Sequence, residues 1–160
     1  MTSAERTRNP FTSSARGGQL LSAAQLPFFL ARPPAAYGVL TTTGRKTGKK
    51  RRRCIRAVRN GETVYLVAIK GSAKTGWVRN AVANPDVKLR LPGGSYSGRA
   101  RLIASPERSQ ARQTYAETVA PFDYLTYGNW RKGWPTATLI RDLMASWFDD
   151  GFPIAIELVQ

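Results

Sequence analysis

The sequence predicts an α+β domain: a small barrel of about six mostly antiparallel strands with two or three packed helices. Short runs rich in β-branched residues recur between tight-turn residues, and Asn60-Gly61 is a strong hairpin signal. Towards the C-terminus the apolar spacing changes to the helical period. The chain of 160 residues is long enough for one domain with a real core, and 42% hydrophobic residues mark it as globular.

Met1 to Pro10 is polar, carries Glu5 and lacks the apolar run of a signal peptide. Gln19 to Ala31 is apolar, too short to span a bilayer and interrupted by Pro27. Within an N-terminal extension over 1–36 it reads as a short helix packed on the domain or covering a pocket. The alternative is a surface anchor, with Phe28, Phe29 and Leu30 dipping into acidic lipid beside Arg32. The domain proper then occupies 37–160. Tyr37 to Thr43 reads as a strand, Gly44 and Gly48 flank a turn, and Arg51 to Arg59 reads as a second strand. On that strand Arg52, Cys54, Arg56 and Val58 share one face, and Arg51, Arg53, Ile55, Ala57 and Arg59 the other. Asn60-Gly61 returns the chain into a third, buried strand from Glu62 to Ile69.

Lys70 to Gly76 reads as a basic loop and Trp77 to Ala83 as a short helix ending near Asn84-Pro85. Val87 to Leu91 and Ser95 to Ala104 are strands joined by the turn Pro92-Gly93-Gly94. Ser105 as N-cap and Pro106 at the first helical position open a helix to about Thr118. Pro121 to Pro135 is aromatic and reads as irregular. Ala137 to Phe148 has helical periodicity, with Leu139, Ile140, Leu143 and Trp147 on one side. Asp149-Asp150-Gly151 ends it, and Pro153 to Val159 is the last strand.

Charge and composition restrict the chemistry. Lys and Arg number 25 against 10 Asp and Glu, a net charge of +15, and from Arg6 to Gly61 there are thirteen cations and no carboxylate. A field this one-sided attracts anions: nucleic acid, acidic lipid, or a phosphorylated or carboxylated ligand. The chain has no histidine and one cysteine, which excludes His-based dyads and triads and His/Cys zinc sites. The single thiol fits a reducing cytoplasm, where the protein is expected. Redox chemistry here would need a bound cofactor. Gly44 to Arg53, GRKTGKKRRR, places seven cations in ten residues around two glycines, a pattern suited to capturing phosphate or carboxylate. Lys70, Lys74 and Arg79 form a second basic group that the hairpin brings towards Arg51 and Arg52, so the two loops line one groove. A single-strand nucleic-acid binder is the alternative, but the strand carrying the cations contains no aromatic to stack a base, and no nucleic acid is expected.

Leu40-Thr41-Thr42-Thr43-Gly44-Arg45-Lys46-Thr47-Gly48 resembles the LTTTGRKSG signature of the deazaflavin (F420)-dependent nitroreductase family. Val67-Ala68-Ile69-Lys70-Gly71, Trp77 to Pro85 and Phe152 to Leu158 resemble later motifs of that family in the same order. The resemblance implies a split β-barrel that binds coenzyme F420, an 8-hydroxy-5-deazaflavin with a phosphate and an oligoglutamate tail. It implies cofactor contacts from Arg45, Lys46, Thr47, Arg51, Arg52, Arg53, Cys54, Ile55 and Arg56, from Val67, Ala68, Ile69 and Lys70, and from Gly76, Trp77, Val78, Arg79 and Asn80. Lys46, Arg51, Lys70 and Arg79 are expected to meet the anionic parts, and backbone around Cys54, Ile55, Ala68 and Ile69 the ring.

The implied activity is hydride transfer from reduced deazaflavin to a small, apolar acceptor such as a quinone, enone or nitro compound. Tyr124 and Tyr127 resemble the family's spaced tyrosines and are the expected proton or hydrogen-bond donors. The helical insertion over 128–151, with Trp147 and Phe148, is expected to enlarge an apolar pocket or to make a homodimer contact. Cofactor binding without turnover is the alternative function.

Overall fold

The computed structural model describes residues 25–70 and 76–159. Seven strands form one sheet: β1 (Tyr37–Thr43), β2 (Lys50–Arg56), β3 (Val58–Asn60), β4 (Thr63–Ala68), β5 (Asp86–Leu91), β6 (Gly94–Leu102) and β7 (Phe152–Val159). Among the described residues the helices are α1 (25–31), α2 (Gly76–Ala83), α3 (Ser105–Glu117), α4 (Pro121–Trp130) and α5 (Ala137–Asp150). The spatial order is β2-β1-β5-β6-β7-β4-β3, and every pairing is antiparallel.

That order shows why the sheet must curl. β2 and β3 lie at opposite edges, yet only Ala57 separates them in sequence. Six strand spacings in a flat sheet would cover about 29 Å, whereas the two steps of chain from Arg56 to Val58 reach about 7 Å. The sheet therefore rolls into a split barrel until its edges meet, and β2 comes into contact with β4. The predicted strand from Arg51 to Arg59 is thus two strands. Ala57 N–H donates to the Ala36 carbonyl (2.8 Å), and Arg56 turns into the interior, so strand pairing breaks between them. The Asn60-Gly61 hairpin is present, with Gly61 at φ 63°.

β4 is covered on both faces. Val64, Leu66 and Ala68 point into the barrel with Leu40, Leu89 and Ile156, while Tyr65 and Val67 point outwards. α3 and α5 cover that outer side with Ala111, Tyr115, Ile140, Met144 and Phe148. Two buried faces explain why the strand reads as an unbroken apolar run. Gly151, at the end of α5, allows the helix to close on β4: a Cβ there would lie 2.5 Å from the Ala68 carbonyl oxygen and 2.6 Å from that of Trp147.

Two helix readings change. Residues 121–130, expected to be irregular, form α4. Pro121 suits its first turn, and Asp123 accepts from the Ala120 N–H (2.8 Å) as a capping carboxylate would. Ala120 at the cap position offers no side-chain oxygen, so the usual sequence signal is missing. At α3 the cap is Ala104 and not Ser105, with no side-chain cap bond.

Residues 19–24 of the predicted apolar helix lie outside the described residues. In the remainder, α1, Phe29 is buried against Tyr37 and Phe122, with ring centroids 6.1 and 5.3 Å away, while Phe28 is exposed.

Candidate cofactor and acceptor cleft

The seam of the barrel opens into a cleft of about 180 Å³. β2 lines it with Arg53, Cys54, Ile55 and Arg56, β4 and the residue after it with Val67 and Ile69, and α2 with Trp77. The helices complete the wall: Phe29 from α1, Tyr115 from α3, Phe122, Thr126, Asn129 and Trp130 from α4, and Trp147 from α5. Trp130 and Trp147 meet edge to face at 5.3 Å. A second cavity of about 390 Å³ adjoins it at Ile69, Trp130 and Trp147 and is lined further by Lys70, Arg131, Ser146 and Asp150.

Behind the cleft is a buried polar cluster. Arg56 Nε and Nη2 donate to the two Asp123 carboxylate oxygens (2.9 and 3.1 Å), and the guanidinium also donates to the carbonyls of Tyr115 and Thr118. It lies over the Tyr115 ring, 4.6 Å from the centroid. Tyr37 Oη donates to Asp123 (2.6 Å) and shares a 2.8 Å hydrogen bond with Thr126. Burial, with the Asp123 charge adding to it, holds the Tyr37 phenol well above its ordinary value. Arg56 thus lines the cleft with its hydrogen-bonding groups turned into the protein.

Arg53 is different. It lines the cleft, and among the described residues it makes no hydrogen bond or ion pair. Burial lowers its pKa from the usual guanidinium value, partly offset by Cys54. Among the described residues no acidic side chain lines the cleft.

The basic turn sits beside this opening. Gly44 N–H donates to the Lys49 carbonyl and Gly48 N–H to the Gly44 carbonyl, both 2.8 Å, and Gly48 takes φ 68°. The turn is tied to α2: Arg45 Nη1 donates to Asn80 Oδ1 at 2.9 Å and to the Gly76 carbonyl at 3.5 Å, and the Arg45 N–H also reaches Asn80. The start of α2 and the turn are therefore neighbours, as the groove reading requires. Lys74 lies outside the described residues. Lys46, Arg51, Arg52, Lys70 and Arg79 are exposed and, among the described residues, make no side-chain hydrogen bond or ion pair.

Of the residues named from sequence, Arg53, Cys54, Ile55, Arg56, Val67, Ile69 and Trp77 line the cleft. Arg45, Lys46, Thr47, Arg51, Arg52, Gly76, Arg79 and Asn80 belong to the turn, its strand and the adjoining helix. Ala68 is buried in the barrel and Val78 packs against its core. Tyr124 and Tyr127 are not in the cleft: Tyr124 lies on the outer side of α4, and Tyr127 is buried in the core beneath α5. The tyrosines that do line it, Tyr37 and Tyr115, carry no local sequence signal. Neither do Phe122, Thr126 and Asn129, which lie on the inward side of a helix that the sequence did not announce.

The described residues thus form a split barrel with a basic, glycine-flanked turn beside an aromatic cleft on whose described walls no carboxylate stands. The family model of F420H(2)-dependent quinone reductases matches residues 30–132, and the chain belongs to that family. The family resemblance read from Leu40 to Gly48 is met, with quinone and not nitro reduction in the family's description. Over 82 residues the chain is 32% identical to an F420H(2)-dependent quinone reductase of Mycobacterium tuberculosis, a match covering 50% of this chain and 54% of that one. The chain spans about half the length of the curated relatives it matches. The structure of an F420-H2 dependent reductase, FDR-A, matches with TM-score 0.51 and 23% identity over 76% of this chain and 93% of that one. A haem storage protein of Vibrio cholerae matches with TM-score 0.50 and 13% identity over 86% and 89%. These two likenesses show the split-barrel fold.

Proposed function

We propose that the protein is an F420H2-dependent reductase that passes a hydride to a quinone bound in the seam cleft. Family membership supports the reading, and one structural observation carries it. Arg53 in the cleft, and Lys46, Arg51, Arg52, Lys70 and Arg79 on the turn and its neighbouring segments, have no anionic partner among the described residues, and most of the cleft wall is apolar or aromatic. The residues present fit coenzyme F420: the turn cations would hold its phosphate and oligoglutamate, and the β2 and β4 walls its ring. When bound, the reduced deazaflavin supplies the hydride.

The chain's own part is to bind and orient. Trp77, Trp130, Trp147 and Phe29 exclude water and hold a flat acceptor by stacking and apolar contact. Arg53 stabilises negative charge developing on an acceptor oxygen, in a site where burial strengthens the interaction. Arg45 fixes the turn against α2 through Asn80, and Arg56 fixes α4 through Asp123. The acceptor side of α4 is served by Thr126 and Asn129 and not by the two tyrosines expected from sequence.

The test begins with fluorescence titration by oxidised F420, with flavin mononucleotide in parallel. Saturable, salt-sensitive binding that prefers F420 and weakens in Lys46→Ala/Arg51→Ala supports the cradle. Anaerobic oxidation of F420H2 by menadione then separates a reductase from a protein that only binds. Absence of F420 binding sinks the proposal. Among the described residues no helix is long and apolar enough to cross a membrane. We place any contact with an acidic membrane at Phe28, 59% exposed, and Arg32; Phe29 takes no part, because it is inside the protein. Co-sedimentation with anionic vesicles, lost in Phe28→Ser, tests that contact.

A further inference from the structure

The buried cluster behind the cleft determines which way the Thr126 hydroxyl points its proton. Asp123, completely buried, receives Arg56 Nε and Tyr37 Oη on one carboxylate oxygen and Arg56 Nη2 and the Ala120 N–H on the other. A carboxylate paired in this way only accepts, so the single phenolic proton of Tyr37 goes to Asp123 at 2.6 Å. The 2.8 Å contact between Tyr37 Oη and Thr126 Oγ1 then has one possible donor, the threonine. Thr126 makes no other side-chain hydrogen bond among the described residues. Its proton is spent on Tyr37, and the oxygen keeps only lone pairs for a ligand. Thr126 lines the cleft, and Asn129, three residues further along α4, lines it too.

We propose that Thr126 is a specificity residue: it offers the cleft a hydrogen-bond acceptor only, and it selects a ring ligand that presents an O–H or N–H at this wall. Resting on the reading of the cleft as the ring-binding site, this assigns the ligand class there. A hydroxylated aromatic, such as a hydroxyquinone or the hydroquinone product, is accepted, and so is a ring N–H of a deazaflavin. A bare quinone carbonyl, itself an acceptor, is disfavoured at this point and must turn its oxygen towards the donors Arg53 or Asn129. The polarity is relayed through Tyr37 from Asp123, which Arg56 holds and which does not itself line the cleft.

Calorimetric titration with 1-naphthol and with its methyl ether, 1-methoxynaphthalene, tests the proposal. The two share a ring system, and only the first can donate. The wild-type protein should bind the naphthol about tenfold more tightly, the worth of one hydrogen bond. Thr126→Val should abolish the difference and Thr126→Ser should keep it. Tyr37→Phe, checked for folding by circular dichroism, frees the threonine proton and should shrink the preference by strengthening the methyl ether. Equal wild-type affinities, or a preference that survives Thr126→Val, would overturn the proposal while leaving the ring-binding cleft intact. Binding of neither compound would remove the cleft reading and this proposal together. Repeating the titration with saturating oxidised F420 assigns the source: a blocked naphthol means that Thr126 meets the cofactor's N–H, and an unaffected one means the acceptor's hydroxyl.

Discussion

Asp123→Asn tests the polar cluster that shapes the cleft. The Arg56 and Asp123 side chains are 3% and 0% exposed, so the substitution leaves a guanidinium buried without its counter-charge. Asparagine keeps one acceptor oxygen, but its amide nitrogen then faces the donors Arg56 Nη2 and Ala120 N–H, which stand 3.1 and 2.8 Å from the carboxylate oxygen it replaces. Removing one partner of such a pair costs about 3–5 kcal/mol, a large part of the roughly 5–15 kcal/mol that holds a domain together. At a urea slope of about 2 kcal/mol per molar, the unfolding midpoint should fall by about 2 M. Asp149→Asn is the control: its pair with Arg112 is about half exposed (48% and 49%) and contributes at most about 1 kcal/mol. Equal, small shifts in the two variants would refute the account of Arg56 as dependent on Asp123. If Asp123→Asn does not fold, the Arg56→Met/Asp123→Leu double variant should recover structure, because the stranded charge is gone.

Gly151→Ala pushes α5 off β4 through its contacts with two carbonyl oxygens and should lower stability by about 1–3 kcal/mol; thermal unfolding checks this, and naphthol binding should weaken as Trp147 moves. Tyr124→Phe should leave menadione turnover within about twofold, since Tyr124 lies outside the cleft. Arg101, and then the Tyr65 hydroxyl, hold Glu107 below the usual carboxylate value. A lowered folded-state pKa means stability that is complete above the ordinary carboxylate range and lost as pH falls through the lowered value. Acid unfolding should therefore be less steep in Arg101→Gln, with denaturant midpoints between pH 7 and 3 as the readout, about four pH units. Tyr65 itself is pushed up from 10.0 to about 12 by burial and by Glu107. Its contribution is present below pH 10 and lost as pH rises towards 12, so its absorbance change at 295 nm should come late and vanish from the late phase in Tyr65→Phe.

What could be read from the sequence was local. β-branched alternation located most strands within a residue or two, Asn60-Gly61 located the hairpin, and Gly44 and Gly48 located the basic turn, because neighbouring residues alone decide these features. The absence of histidine limited the chemistry, and the cations of β2 and its turn announced an anionic ligand. Periodicity could not show that the chain breaks at Ala57, since the break exists only because two distant sheet edges meet there. Nor could it place α4, whose capping carboxylate is also the partner of Arg56, 67 residues away. The inward side of that helix decided the rest: it put Thr126, and not Tyr124, at the cleft. Composition and short-range pattern determined most of the elements and one wall of the site. Tertiary packing alone decided the opposite wall and the direction of its hydrogen bonds, because both depend on groups brought together by burial from far apart in the chain.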